Sequence, residues 1–227
     1  IEGINVLKIF TSYTPGAGKT YLMVSKAIEE NRKGRKVVIG FLNAGHRDIG
    51  KTLSDNGINH FDKKGMNYDQ IISLNPDVVV LDEMGMKIRR GGFVYDRVKK
   101  LLDAGIDVYT SANLKRFSGI SEKFKAVTGI MARTTIPDEF LEMAGEIYFV
   151  DRDPEKMAKD FEEGKLFNDK YKDSRIMKKN FEMNTLVQYR QVALECLRGY
   201  KNVKIVKRER ETIVGTFQKS RNFGFVV

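Results

Sequence analysis

Lys19 and Thr20 close a glycine-bearing stretch, TPGAGKT from Thr14 to Thr20, and Asp82 and Glu83 close an apolar run, DVVVLDE. An ammonium, a hydroxyl and two carboxylates at the ends of apolar segments suit a polyphosphate and its divalent cation. Gly16 and Gly18 permit backbone turns that side-chained residues resist. Successive N–H groups can then converge on an anion. Lys19 reaches β- and γ-phosphates, and the Thr20 hydroxyl joins a Mg²⁺ shell. Pro15, Gly16, Ala17, Gly18, Lys19, Thr20 and Tyr21 are the candidate nucleotide-binding residues of this stretch. The phosphate-loop signature runs Gly, four residues, Gly-Lys-Ser/Thr. Its first position here is Tyr13, so the strict pattern fails by one residue. The competing interpretation is a glycine-rich turn that holds no ligand.

Asp82 is placed to hold Mg²⁺, directly or through water, and Glu83 to orient an attacking water. Thr20 and Asp82 are thus the metal candidates, Lys19 and Glu83 the catalytic ones. The alternative for the acid pair is an N-cap and a surface acid after a core strand. Asn113, in YTSANL, either senses a γ-phosphate or caps a helix. Arg89 and Arg90 could clamp a γ-phosphate on loop closure, although a solvent-facing loop is the preferred reading. His46 and His60 have no metal-ligand spacing and are read as solvated loop residues.

The elements that must position these residues alternate regularly. NVLKIFTSY precedes the loop as a buried strand from Val6 to Thr11, and TYLMVSKAIEENRKG follows it as a helix with Gly34 as its stop signal. Further strands are expected at Lys36 to Leu42, Asp77 to Glu83, Ile106 to Ala112 and Glu146 to Val150, with helical segments between them. The alternation predicts an α/β fold of the P-loop type, a mainly parallel sheet with helices on both faces. Residues 1–150 form this nucleotide-binding core. Residues 151–200 form a helical extension: one helix opened by Pro154, then one long amphipathic helix across SRIMKKNFEMNTLVQYRQVALECLRGY. Residues 201–227 form a short basic β-like tail, read as part of a further domain or as a hairpin on the body.

The chain has 227 residues and 41% hydrophobic content, enough for a good-sized core. No apolar run approaches the roughly 20 residues that span a bilayer, so no membrane span is expected. The single cysteine, Cys196, cannot close an internal disulfide and is read as a small core residue. This suits a reducing, cytoplasmic setting. The net charge of +10 is dispersed over several segments. It is read as a solvated surface with a polyphosphate site, in preference to a nucleic-acid surface. The sequence opens on IEGI and stops on the apolar run FGFVV, which suggests a processed or shortened chain or a piece of a longer one.

LKIFTSYTPGAGKTYLMVSKA, DVVVLDE, LLDAGIDVYTSANL, TGIMARTTIPDEFLEMAGEIYFVD, DPEKMAKDFEEGKLF and NFEMNTLVQYRQVALECL occur in that order. Together they resemble the N-terminal domain of the KdpD family of osmosensitive potassium-channel sensor histidine kinases, over residues 7–198. The resemblance implies a cytoplasmic ATP-binding regulatory module whose nucleotide state biases a kinase or other protein partner. It puts Gly16, Gly18, Lys19 and Thr20 in the Walker-A role, Asp82 and Glu83 in the Walker-B role, and Asn113 after the family's AGIDVYT strand. ATP and Mg²⁺ are the implied cofactors, with slow hydrolysis or none. The family's DELAHTN reads DEMGMKI here, with Met86 at the histidine, and its NVQHLES reads NLKRFSG. Chemistry belonging to those histidines is not expected. Nor is histidine-kinase activity, because neither a phosphoacceptor helix nor a second ATP-binding domain is found in the chain.

The tail ETIVGTFQKSRNFGFVV resembles the opening strands of a cold-shock or OB-type domain of RNase R-type exoribonucleases, with Phe217, Phe223 and Phe225 spaced like base-stacking residues. Two alternatives to a sensor module follow. One is a P-loop enzyme, an ATPase or a transferase like the corrinoid adenosyltransferases. The other is an RNA-binding protein acting through the tail.

Overall fold

The computed structural model describes residues 5–43, 49–61, 68–88, 91–167 and 174–208, with the backbone alone at 47–48 and 224–226. The strands are β1 (Leu7–Ser12), β2 (Val37–Phe41), β3 (Asn59–His60), β4 (Val78–Leu81), β5 (Asp107–Asn113), β6 (Glu146–Asp151), β7 (Val203–Lys207) and β8 (Gly224–Val226). They form one sheet in the order β3-β2-β4-β5-β1-β6-β7-β8. The helices of the described residues are α1 (Lys19–Arg32), α2 (Arg47–Asp55), α3 (Tyr68–Ser73), α4 (Val94–Asp103), α5 (Ser118–Thr128), α6 (Glu139–Met143), α7 (Pro154–Glu162), α8 (Arg175–Asn180) and α9 (Met183–Leu197). The architecture is α/β with a mainly parallel sheet, as expected.

The chain divides into two compact units: Ile1–Phe10, Lys19–Ala112 and Met143–Ile147 in the first; Thr11–Gly18, Asn113–Glu142 and Tyr148–Val227 in the second. Within the second unit, Phe124 of α5 lies against Tyr189 of α9, ring centroids 5.3 Å apart, so residues 113–142 group with the helical extension.

In the first unit, β2 pairs in parallel with β3 and β4, and β4 with β5. Every residue of β2 and β4 is buried. Successive side chains point to opposite faces of a sheet, so both faces are covered here. The β2–β4 register shifts between Ile39 and Phe41. Gly40 permits that close approach, since a Cβ there would stand 2.8 Å from Leu81 Cδ2 and 2.9 Å from Ile71 Cδ1. Helix α1 buries Leu22, Met23, Val24, Ala27 and Ile28 and ends before Gly34, which takes φ 87°.

In the second unit, α7 starts at Pro154 behind an N-cap, Asp153, that accepts from the Lys156 N–H. The single long helix expected after it is two. Helix α8 ends at Asn180, and Glu182 is extended (φ −60°, ψ 137°) before α9 begins. Side-chain packing explains the break. Phe181 is buried and stacks on Phe161 at 4.4 Å, and buried Asn180 accepts from the Tyr189 hydroxyl at 2.6 Å. Strand β7 pairs antiparallel with β8, and Val206 is its buried residue. Cys196 is buried on α9 and unoxidised.

Candidate functional site

In the first unit the site is built on neighbouring strand tips. The β4–β5 register pairs Leu81 with Thr110, which brings Asp82 beside Ser111. Asp82 is fully buried. Its Oδ1 accepts from Ser111 Oγ at 2.5 Å and from the Glu83 N–H at 3.1 Å. Its Oδ2 accepts from the Asn43 N–H at 3.1 Å, where β2 has just ended. Thr20 Oγ1, in the first turn of α1, lies 3.2 Å from both carboxylate oxygens. The threonine and aspartate selected as metal candidates are therefore in direct contact.

Lys19 is 5% exposed. Burial pushes its ammonium pKa below the ordinary lysine value, with Glu83 and then Asp82 opposing that shift. A group in this state gains from any anion brought next to it. Glu83 takes φ 53°, the left-handed region that costs a non-glycine residue roughly 1–3 kcal/mol. Its N–H also donates to Ser111 Oγ at 3.2 Å, and the Met84 N–H donates to the Ser111 carbonyl at 2.8 Å. Ser111 thus sets both the orientation of Asp82 and the turn carrying Glu83. Tyr21 is half-buried on α1.

In the second unit, residues 14–18 form the glycine turn. Gly16 takes φ 81° and Gly18 φ 105°, values that L side chains rarely adopt. Tyr13, at the position of the missing glycine, is fully buried. Its hydroxyl donates to the Arg152 carbonyl at 2.5 Å and its ring faces Phe149 at 6.5 Å. Burial, then Asp151, raises its phenol pKa well above 10, so the hydroxyl stays a donor. Arg152 is held by an ion pair with Asp160 and turns Nη1 to the Gly16 carbonyl at 3.4 Å. Asp151 is held by Arg190, Nε and Nη2 each 2.7 Å from a carboxylate oxygen. Asn113 precedes a 3-10 turn, Leu114–Arg116, and makes no side-chain capping bond to it.

Lys19, Thr20, Asp82 and Glu83 are thus gathered in one unit, and Pro15 to Gly18 and Asn113 belong to the other, joined to Lys19 through the chain. Arg89, Arg90, His46, Phe217 and Phe223 lie outside the described residues, as does the side chain of Phe225. His60 is exposed on β3. Sequence reasoning missed Ser111, Asn43 and Arg152. Ser111 lies within β5, one residue past Thr110, the partner of Leu81, and so comes level with Asp82. Asn43 contributes a backbone N–H, which no residue type announces.

A divalent ion can be tested against this donor set. The described residues contain no group of three or more His, Cys, Asp or Glu side chains that could hold a metal. One carboxylate and one hydroxyl do fit Mg²⁺, which keeps several waters and completes its shell with substrate phosphates. Asp82 already accepts four hydrogen bonds. An ion here is therefore suited to a water-mediated contact with Asp82.

The mainly parallel sheet with helices between its strands defines an α/β protein. The family model described as "Osmosensitive K+ channel His kinase sensor domain" matches residues 4–199. The chain belongs to the KdpD family. It is 30% identical over 200 residues to "Sensor protein KdpD" of Clostridium acetobutylicum, covering 83% of this chain and 22% of that one. It is 27% identical over 173 residues to "Sensor protein KdpD" of Escherichia coli K12, covering 71% and 19%. The chain thus spans about a fifth of the length of these relatives. Among solved structures, the signal recognition particle 54 kDa protein of Aeropyrum pernix K1, in complex with GDP, aligns at TM-score 0.34 and 13% identity. That alignment covers 92% of this chain and 43% of the other, and nothing about this chain follows from so low a score. The family match ends at residue 199 and gives no support to a cold-shock or OB-type tail. No helix of the described residues is long and apolar enough to cross a membrane.

Proposed function

We propose that this chain is a cytoplasmic nucleotide-sensing module whose Mg-ATP occupancy biases a partner, the remaining domains of a sensor kinase, in potassium or osmotic signalling. The observation that carries this is the Thr20–Asp82 contact with buried Lys19 beside it. The residues of the glycine turn, Pro15 to Gly18, are suited to present backbone N–H groups to the phosphates, and Tyr21 follows them on α1. Lys19 neutralises the β- and γ-phosphates. Mg²⁺, when bound, spreads the phosphate charge; Thr20 donates its hydroxyl oxygen to the shell and Asp82 orients its waters. Glu83 is positioned to order a water.

Calorimetry on the full chain tests this, with Mg-ATP titrated into wild type and Lys19→Ala. A charged hydrogen bond contributes about 1.5–3 kcal/mol, so the variant should bind ten- to hundredfold more weakly. It should keep or raise its melting temperature, because Lys19 is buried against its charged state. Turnover should fall well below the roughly 1 per second of ordinary enzymes. Equal ATP affinity in the two proteins would remove the site assignment, and fast turnover would favour an ATPase.

A further inference from the structure

Helix α9 buries Leu186, Tyr189, Val192 and Ala193 on one side, within its own unit. The other side is open. Met183 is 39% exposed and Val187 43%, Gln191 is exposed and Leu194 is half-buried. At 3.6 residues per turn these four follow one line along the helix, and Arg198, its C-cap, continues the line. The helix holds two charged residues in its 15 positions. Arg190 is bonded through Nε and Nη2 to Asp151, and Glu195 stands off the line. Helices α4, α5, α7 and α8 each expose two or more lysines or arginines.

Single exposed apolar residues are ordinary on a protein surface; charge is what selects an occupant for this line. A chain of net charge +10 repels its own copies, so two copies can meet only along a face free of like charge. Interface cores are depleted in charged residues and enriched in Met, as this line is. The two ends of α9 also carry opposite charges, Glu182 at the N-cap and Arg198 at the C-cap, both exposed and neither in an ion pair among the described residues. Two such helices laid antiparallel bring each acid to the other copy's cation and oppose their dipoles favourably.

We propose that the open face of α9 is a contact surface for a second copy of this chain, the two helices antiparallel about a two-fold axis near residues 190 and 191. Val187 then lies against Leu194 of the partner subunit, and Glu182 comes beside Arg198 of the partner subunit, each contact made twice by symmetry. A helix of 15 residues is about 22 Å long, so the contact is small and the association weak and reversible. The pairing uses none of the residues assigned to nucleotide, so each reading stands or falls without the other.

The test is sedimentation equilibrium of the full chain across roughly 10–500 µM, with circular dichroism as the folding check. Wild type should show a monomer–dimer equilibrium, and Val187→Glu should weaken it at least about tenfold by burying a charge at the contact. Glu182→Arg and Arg198→Glu each turn two attractive pairs into repulsive ones, which should weaken pairing roughly three- to thirtyfold. The double variant Glu182→Arg/Arg198→Glu exchanges the charges and should recover most of that loss. Both residues are exposed, so this exchange keeps the test decisive if Val187→Glu fails to fold. A wild type that stays monomeric throughout, or a dimer that Val187→Glu leaves unchanged, overturns the proposal. A double variant as weak as the single ones overturns the antiparallel register.

Discussion

Tyr13 stands where the phosphate-loop pattern has glycine, so Tyr13→Gly would restore the pattern. The geometry makes the opposite forecast: the change should damage the protein. The side chain is fully buried, its ring faces Phe149, and its hydroxyl is bonded to the Arg152 carbonyl. Removing a buried aromatic side chain costs about 3–5 kcal/mol through lost transfer energy and the cavity left behind. Glycine adds roughly 0.5–1 kcal/mol of backbone entropy. The sum, about 4–6 kcal/mol, is a large share of the 5–15 kcal/mol that holds a typical domain. Tyr13→Phe isolates the hydrogen bond: the carbonyl of Arg152 loses its donor, at a cost of about 1–2 kcal/mol. Urea denaturation followed by circular dichroism reads both values. Near-wild-type stability in Tyr13→Gly, within about 1 kcal/mol, would refute the view that this residue anchors the turn. Stability preserved in Tyr13→Phe would show that the ring alone matters.

Two further outcomes are expected. Ser111→Ala removes the 2.5 Å donor to buried Asp82 and a partner of the Glu83 N–H; urea melts should show about 1.5–3 kcal/mol lost, and an unchanged midpoint would deny Ser111 its orienting role. Burial raises the phenol pKa of Tyr13, Tyr109 and Tyr189, the last to about 12. Their protonated forms stabilise the fold fully below the unfolded value near 10, and that contribution is lost as pH rises from there through the folded values. Three such groups at about 1.4 kcal/mol per pH unit each give a fall of about 4 kcal/mol per unit above pH 10. Urea melts at pH 9, 10 and 11 should show that slope reduced by a third in Tyr189→Phe; an identical slope would exclude the mechanism.

The catalytic-looking residues were legible because their chemistry is local. Gly16, Gly18, Lys19 and Thr20 are adjacent in sequence, and Asp82 announces itself as an acid ending a run of β-branched residues. The parallel strands were legible for the same reason, since VVIGF and VVVL are apolar at every position and a strand buried on both faces needs that. What failed to show depends on distant partners. The break at Phe181 goes with its stacking on Phe161, which lies on another helix and outside any window around residue 181. Tyr13 read as a defect in a motif, whereas its role is fixed by Phe149 and Arg152 far along the chain. Arg208 sits in a basic run, KRER, that composition alone assigns to solvent, and only the strand ladder carries it onto Gly18.

A short motif thus specifies which atoms meet a ligand, and the surrounding packing specifies what else changes when they do. The glycine turn is bound from outside by three contacts of its own unit: Tyr13 on Arg152, Arg152 on Gly16, and Arg208 on Ala17. None is needed to hold phosphate, since backbone N–H groups and a lysine suffice. All three tie the turn to β6, to the residue after it or to the end of β7. Such ties restrain a turn that only has to bind. They are useful to a turn whose occupancy has to be felt elsewhere, because a shift of the turn must then move or break a contact with the sheet. That physical distinction favours sensing over turnover for this chain.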